Sequence, residues 1–133
     1  MIFYMKSLVL NFTINATIEQ IWAALTQASE IEKWDGGPNV IMDDKMGTKF
    51  TLWDGSIFGT NIEVQPQKLL KQEWSVAAWA NPSIVTFTLT PHRDQTTVFL
   101  DHQNIPDEDV KDIKSGWNDY YLGAIKTYLE TKK

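Results

Sequence analysis

Residues 6–14, KSLVLNFTI, place Leu8, Leu10, Phe12 and Ile14 on one side at a period of two, which predicts a half-buried strand. The period then changes. Ile18, Ile21, Trp22 and Leu25 recur at helical spacing, and Thr17 followed by Gln20 has the form of a capping box, so a short amphipathic helix is expected over 18–27. A second helical turn is expected around 29–34, ending at Trp34 where DGGP (35–38) breaks it. From 39 to 105 alternation returns. Phe50 and Leu52 share a side, Asp54-Gly55 signals a hairpin, and Phe58, Thr60, Ile62 and Val64 face one way against Asn61, Glu63 and Gln65. Beyond Pro66-Gln67, Leu70, Gln72, Trp74 and Val76 alternate with Lys71, Glu73 and Ser75. Beyond Asn81-Pro82, Val85, Phe87 and Leu89 alternate with Thr86 and Thr88, and after the loop 91–95 Val98, Leu100 and His102 oppose Phe99 and Asp101. One apolar face per strand is the mark of an antiparallel meander, here a run of about six strands.

The last segment reads as a helix of about 20 residues, roughly 30 Å long. Acids at 107, 108, 109 and 112 crowd its positive end and lysines its negative end. Its apolar stripe is Ile113, Trp117, Tyr121, Ala124 and Tyr128, with Tyr120 and Ile125 flanking. Gly116 and Gly123 lie inside it, each at a cost of about 1 kcal/mol relative to Ala. They mark either a close approach of a backbone or ligand, or tolerated surface positions. This helix is the only long element available to cover the sheet's apolar face. The expected architecture is therefore α+β, an antiparallel sheet curved around a C-terminal helix, as one domain over 1–133 with its core at about 6–130.

Composition alters this picture at a few points. The six Trp, four Tyr and six Phe are large rings that need partners. The net charge of −5, a pI near 4.9 and the absence of a basic run argue against nucleic acid or an anionic membrane as partner. With no cysteine, disulfides, thiolate catalysis and Cys-ligated zinc are excluded. No segment reaches the ~20 apolar residues of a membrane span. The opening MIFYMKSLVLNF lacks a sustained apolar run and a small-residue cleavage site, so a cytoplasmic location is the default expectation. Met5 is a second candidate start, with residues 1–4 then an extension, and Lys132-Lys133 form a short tail.

The element order resembles the helix-grip fold of the START-like (SRPBCC) superfamily. Within it the chain is similar to the C-terminal domain of the activator of the ninety-kilodalton heat-shock chaperone's ATPase and its bacterial relatives. The resemblance rests on MGTKFTLWDGSIFGTNIEVQPQKLLKQEW (46–74), VTFTLT (85–90), TTVFLDHQNIP (96–106) and SGWNDYYLGAIKTYLE (115–130), and more weakly on ATIEQIWAALTQASEIEKW (16–34). It covers about residues 8–130 and is specific for a family, not for a function. Superfamily members bind lipids, hormones or polyketides, and some are cyclases or hydrolases. The chaperone activator carries a separate N-terminal domain that makes much of its chaperone contact, and 133 residues leave no room for one. The resemblance thus implies the fold and, at most, the weaker contact surface of the C-terminal domain.

The inward face is expected to carry Phe50, Leu52, Phe58, Thr60, Ile62, Val64, Leu70, Gln72, Trp74, Val85, Phe87, Val98, Leu100 and His102, facing Trp117 and Tyr121 of the helix. Two readings stay open: a solid core, or a cavity for a small apolar ligand in which Thr60, Gln72 and His102 are the convergent polar groups. The same three polar groups are equally served by one another or by a buried water. His102 is the one candidate acid–base residue, with no nucleophile placed beside it by the sequence and no pair of inward carboxylates. His92 falls in a polar turn. Neither the two histidines nor Asp43-Asp44 and the 107–112 run have zinc or calcium spacing, so no metal or cofactor is expected. Trp53 and Trp79 fall on the outer side by alternation; they either anchor a partner or, the favoured reading, are covered by the 18–27 helix or edge residues. Three functions follow: a small-ligand carrier or sensor, a chaperone-associated interaction module, and a small enzyme using His102. The residues lean away from the last. Oligomeric state is left open.

Overall fold

The computed structural model describes residues 5–131. The extension read at 1–4 and the Lys132-Lys133 tail lie outside the described residues. Strand β1 (Met5–Ile14) is followed by helices α1 (Ile18–Thr26) and α2 (Ala28–Lys33). Strands β2 (Lys49–Leu52), β3 (Ile57–Gln65), β4 (Leu69–Val76), β5 (Ser83–His92) and β6 (Gln95–Pro106) come next. The C-terminal helix then runs in pieces: a 3-10 turn (Asp107–Asp109), α3 (Val110–Gly116), a π turn (Trp117–Tyr121) and α4 (Leu122–Thr131). The sheet is antiparallel throughout, in the order β1-β6-β5-β4-β3-β2. This is the sheet-around-helix arrangement expected from the pattern and the helix-grip fold that the resemblance implied, with five strands after the two short helices rather than about six, and six in the sheet.

Local signals account for most of these boundaries. The capping box forms at α1: the Gln20 N–H donates to Thr17 Oγ1 at 3.2 Å, and Gln20 Oε1 accepts from the Thr17 N–H at 2.9 Å. Ile21, Trp22 and Leu25 of α1 are buried. The DGGP break forms a fastening. The Trp53 N–H donates to the Gly36 carbonyl at 2.9 Å and the Asp54 N–H to that of Pro38 at 3.2 Å, tying the β2–β3 turn to the segment after α2. At β1, Lys126 Nζ donates to the Thr13 carbonyl at 2.8 Å, while the Asn15 N–H just beyond the strand donates to Glu130 at 2.9 Å. Side chains of α4 thereby occupy backbone groups along this edge of the sheet.

Two local insertions correct the expected phases. In β3 the register shifts between Asn61 and Glu63, so that Asn61 faces Gln72 and Val64 faces Leu70. A bulge of this kind turns the strand over by one residue. Asn61 is fully buried, Phe58 is 39% exposed, and Thr60 pairs with the exposed Lys49 and Glu73 on the outer face. Ile62 sits at the bulge, half-buried, with no cross-strand partner in the β3–β4 ladder. Phe58, Thr60 and Ile62 are therefore not the inward set; Gly59 and Asn61 are. Gly59 lies under the Phe50 ring, and a Cβ there would collide with the Glu73 carbonyl. The second insertion is the π turn, closed by the Leu122 N–H donating to the Trp117 carbonyl five residues back. It advances the buried stripe, which runs Trp117, Tyr121, Leu122, Ile125 and Leu129; Ala124 and Tyr128 are only partly buried.

Candidate functional site

The inward residues of β2, β4, β5 and β6 fall where the alternation put them. Phe50, Leu52, Leu70, Gln72, Trp74, Val85, Phe87, Val98, Leu100 and His102 are all buried. They meet the helix in direct contact. Trp117 stacks on Trp74 with ring centroids 5.5 Å apart at 26°, and Phe87 meets its edge at 5.7 Å. Tyr121 lies 4.5 Å from Trp117, 5.0 Å from Trp34 and 6.0 Å from Phe87.

At the centre of this packing is a hydrogen-bond chain with a single direction. Trp117 Nε1 is only a donor, and it lies 3.0 Å from His102 Nδ1, which must accept. The proton of the neutral ring is then on Nε2, which donates to Ser83 Oγ at 2.8 Å, and Ser83 donates to the Trp74 carbonyl at 2.6 Å. Burial pushes the imidazole down to about 3, and protonation would set a second N–H against that of Trp117. The pair superficially resembles a serine nucleophile beside its base, but its polarity is reversed. A base must offer a lone pair to the hydroxyl, and here that nitrogen carries the hydrogen. Ser83 was missed from sequence although the alternation of Val85, Phe87 and Leu89, extended back by two, reaches it.

Gln72 has a partner that the sequence register hid. Its Nε2 donates to Asn61 Oδ1 at 2.9 Å, and Asn61 Nδ2 donates to the carbonyls of Asp43 (3.0 Å) and Lys45 (3.3 Å). Thr60, on the other face, takes no part. Among the described residues, Gln72 Oε1, Trp74 Nε1 and Tyr121 OH are buried without a hydrogen-bond partner. Burial raises the Tyr121 phenol well above its usual range, so it stays protonated.

The apolar concavity lies at one end of the interior. A cleft of about 370 Å³ separates the β2–β3 turn from the first half of the C-terminal helix. Trp53, Ser56 and Ile57 line one wall, Asp112, Ile113 and Gly116 the other, and Trp117, Tyr120 and Tyr121 the floor and rim. Trp53 reaches this place because the turn takes positive φ at three successive residues, Trp53 (48°), Asp54 (55°) and Gly55 (91°). The ring swings inward to 5.7 Å from Tyr121 and 6.0 Å from Trp34. Trp79 is also covered, against Trp74 and His102, with its Nε1 donating to Asp109 at 3.0 Å. The outer position read for both is thus corrected, and the cover comes from the helix side rather than from α1. Of the expected cavity lining, Trp117 and Tyr121 reach the cleft. Trp74, Phe87 and His102 stand behind them.

A second groove of about 570 Å³, between the end of α2 and α4, is polar, with Lys33, Asp35, Asn118, Asp119 and Thr127 on its walls. Among the described residues no group of three or more His, Cys, Asp or Glu could hold a metal. Among the same residues no helix is long and apolar enough to cross a membrane.

Comparison with known proteins agrees with this architecture. The activator of 90 kDa heat shock protein ATPase homolog 1 of Mus musculus is 24% identical over 119 residues, covering 88% of this chain and 35% of that protein. The chain thus spans about a third of the length of such curated relatives. A solved HSP90 activator from Plasmodium falciparum is 25% identical, with a TM-score of 0.86 over 93% of this chain and 96% of that one. A Mesorhizobium loti protein shares the fold at a TM-score of 0.81 and 24% identity over 96% of this chain and 99% of that one. The family model described as Activator of Hsp90 ATPase homolog 1-like protein matches residues 15–130, and the chain belongs to that family.

Proposed function

We propose that this domain is a non-catalytic binding protein that takes a small apolar or amphipathic molecule into the cleft between the β2–β3 turn and α3. The observation that carries this reading is an apolar, aromatic-walled recess of about 370 Å³, a volume in the range of small-molecule sites. The inner-face residues enter it through Trp117 and Tyr121. Trp74, Phe87 and His102 hold Trp117 in place. The direction of the His102–Ser83 hydrogen bond supports a binding role over a catalytic one. Trp53 and Trp117 provide the readout. A panel of apolar ligands should shift tryptophan fluorescence, and mass spectrometry of the purified protein should find a co-purified small molecule. Unmoved fluorescence across the panel, with no co-purified mass, would refute the reading.

A second reading is favoured by one comparison. The solved chain of the plasmodial HSP90 activator is matched over 96% of its length, so the fold shared with this domain is the fold of that chain. On this reading the domain contacts a chaperone of the 90 kDa class through its surface. Titration into the purified chaperone should raise its ATPase rate; no binding and no rate change would exclude it.

A further inference from the structure

Nine residues line the cleft, and four are aromatic: Trp53, Trp117, Tyr120 and Tyr121. One lining side chain, Asp112, is acidic, and no Lys, Arg or His joins it. Asp112 and Gly116 are four apart on one helical face, so the carboxylate stands one turn from the open position. A Cβ built on Gly116 meets nothing within 4 Å. Tyr120 stands at the rim with 68% of its surface exposed. Lys111 and Lys114, the nearby cations of α3, are exposed and outside the lining.

Ring faces carry negative potential, and a carboxylate beside them adds a full charge of the same sign. The chain's net charge of −5 extends that field outward. A neutral molecule leaves Asp112 unused, and an anion meets both rings and carboxylate unfavourably. We propose that the cleft selects an organic cation, a substituted ammonium carrying an apolar group. The ammonium lies between Asp112 and the exposed ring of Tyr120, and the apolar group rests against Trp53, Ile57 and Ile113. This rests on the ligand-binding reading of the same cleft and names the class of ligand.

The test uses three probes of one shape: benzyltrimethylammonium, its neutral carbon isostere neopentylbenzene, and the anion phenylmethanesulfonate. Each is titrated into the full chain by calorimetry and tryptophan fluorescence. The cation should bind tighter than the neutral isostere by about 3- to 30-fold, with the anion weakest. Asp112→Asn should reduce that preference about threefold or more while leaving the neutral probe's affinity unchanged. Gly116→Leu, which extends into open space, should abolish binding of all three with the melting temperature retained. A preference undiminished in Asp112→Asn would overturn the placement of the ammonium against Asp112. A neutral probe as tight as the cation, or a tightest-binding anion, would overturn the cation assignment and leave the ligand-binding reading standing. No binding by any probe, or binding unaltered in Gly116→Leu, would overturn both.

Discussion

His102 gives the protein a pH-dependent stability whose size can be worked from its surroundings. The ring accepts from Trp117, donates its one N–H to Ser83, and takes no second proton until about pH 3, whereas in the unfolded chain it takes that proton at about 6.5. Between those values the unfolded state binds the extra proton, so stability present above pH 6.5 is lost progressively as pH falls toward 3. The full gap corresponds to about 5 kcal/mol, of which about 2 kcal/mol is lost between pH 7.5 and 5. Against a typical total of about 5–15 kcal/mol that is a large share. The perturbation is His102→Gln, a neutral side chain that retains one acceptor and one donor. Urea unfolding of both proteins should show the wild type losing about 2 kcal/mol more than the variant over that interval. Carboxylates common to both cancel in the difference. In a His92→Asn background, which removes the other histidine, the ring resonances of His102 should stay constant from pH 8 to 5 in the folded protein. Parallel stability curves, or a His102 resonance titrating near pH 6.5, would refute the argument.

Three further outcomes follow from the packing. Gly116→Ala should stabilise by up to about 1 kcal/mol, while Gly123→Ala should destabilise by about 1–3 kcal/mol because its Cβ would strike the Asn118 carbonyl displaced by the π turn; thermal melts giving both changes the same sign would contradict the assignment. Phe50→Ala should cost about 3–5 kcal/mol and Phe58→Ala less than about 1 kcal/mol, since only the first is in the core; comparable losses in urea would restore the uninterrupted register. Asn61→Ala should cost about 2–3 kcal/mol and speed amide exchange at 43–48, because it strips Gln72 of its acceptor and frees two loop carbonyls; unchanged exchange would show that the loop is held by other means.

The sequence was legible wherever periodicity ran without interruption. Leu70-Gln72-Trp74, Val85-Phe87-Leu89 and Val98-Leu100-His102 were placed on the correct face, and Thr17-Gln20 placed the start of α1. It failed where one residue is inserted into a repeat. At Asn61–Glu63 an apolar alternation continues on paper through a bulge that reverses it in space. At Trp117–Tyr121 the 3.6-residue stripe continues through a turn that takes one residue more. Neither insertion alters the hydrophobic count, so neither leaves a mark in the pattern. The cleft was invisible for a related reason. Trp53 reaches it through three residues of left-handed backbone, and strand alternation assumes none. Of its lining, Trp117 and Tyr121 were read as facing the interior, and Gly116, like Gly123, as a costly residue without an evident task.

The π turn also divides the final helix into two parts with separate phases. No residue of α3 is buried, whereas α4 buries Leu122, Ile125 and Leu129. The half that walls the cleft and the half that holds the core are thus under different constraints, joined by the one segment, Trp117–Tyr121, that serves both. Sequence drift on α3 can reshape the wall of the cleft while α4 keeps the domain folded. One deleted residue within the turn would restore an ordinary helix and rotate everything after it by about 100°. In lineages built on this scaffold, substitutions that reshape the cleft are therefore expected to accumulate before Trp117 and insertions or deletions to be purged immediately after it.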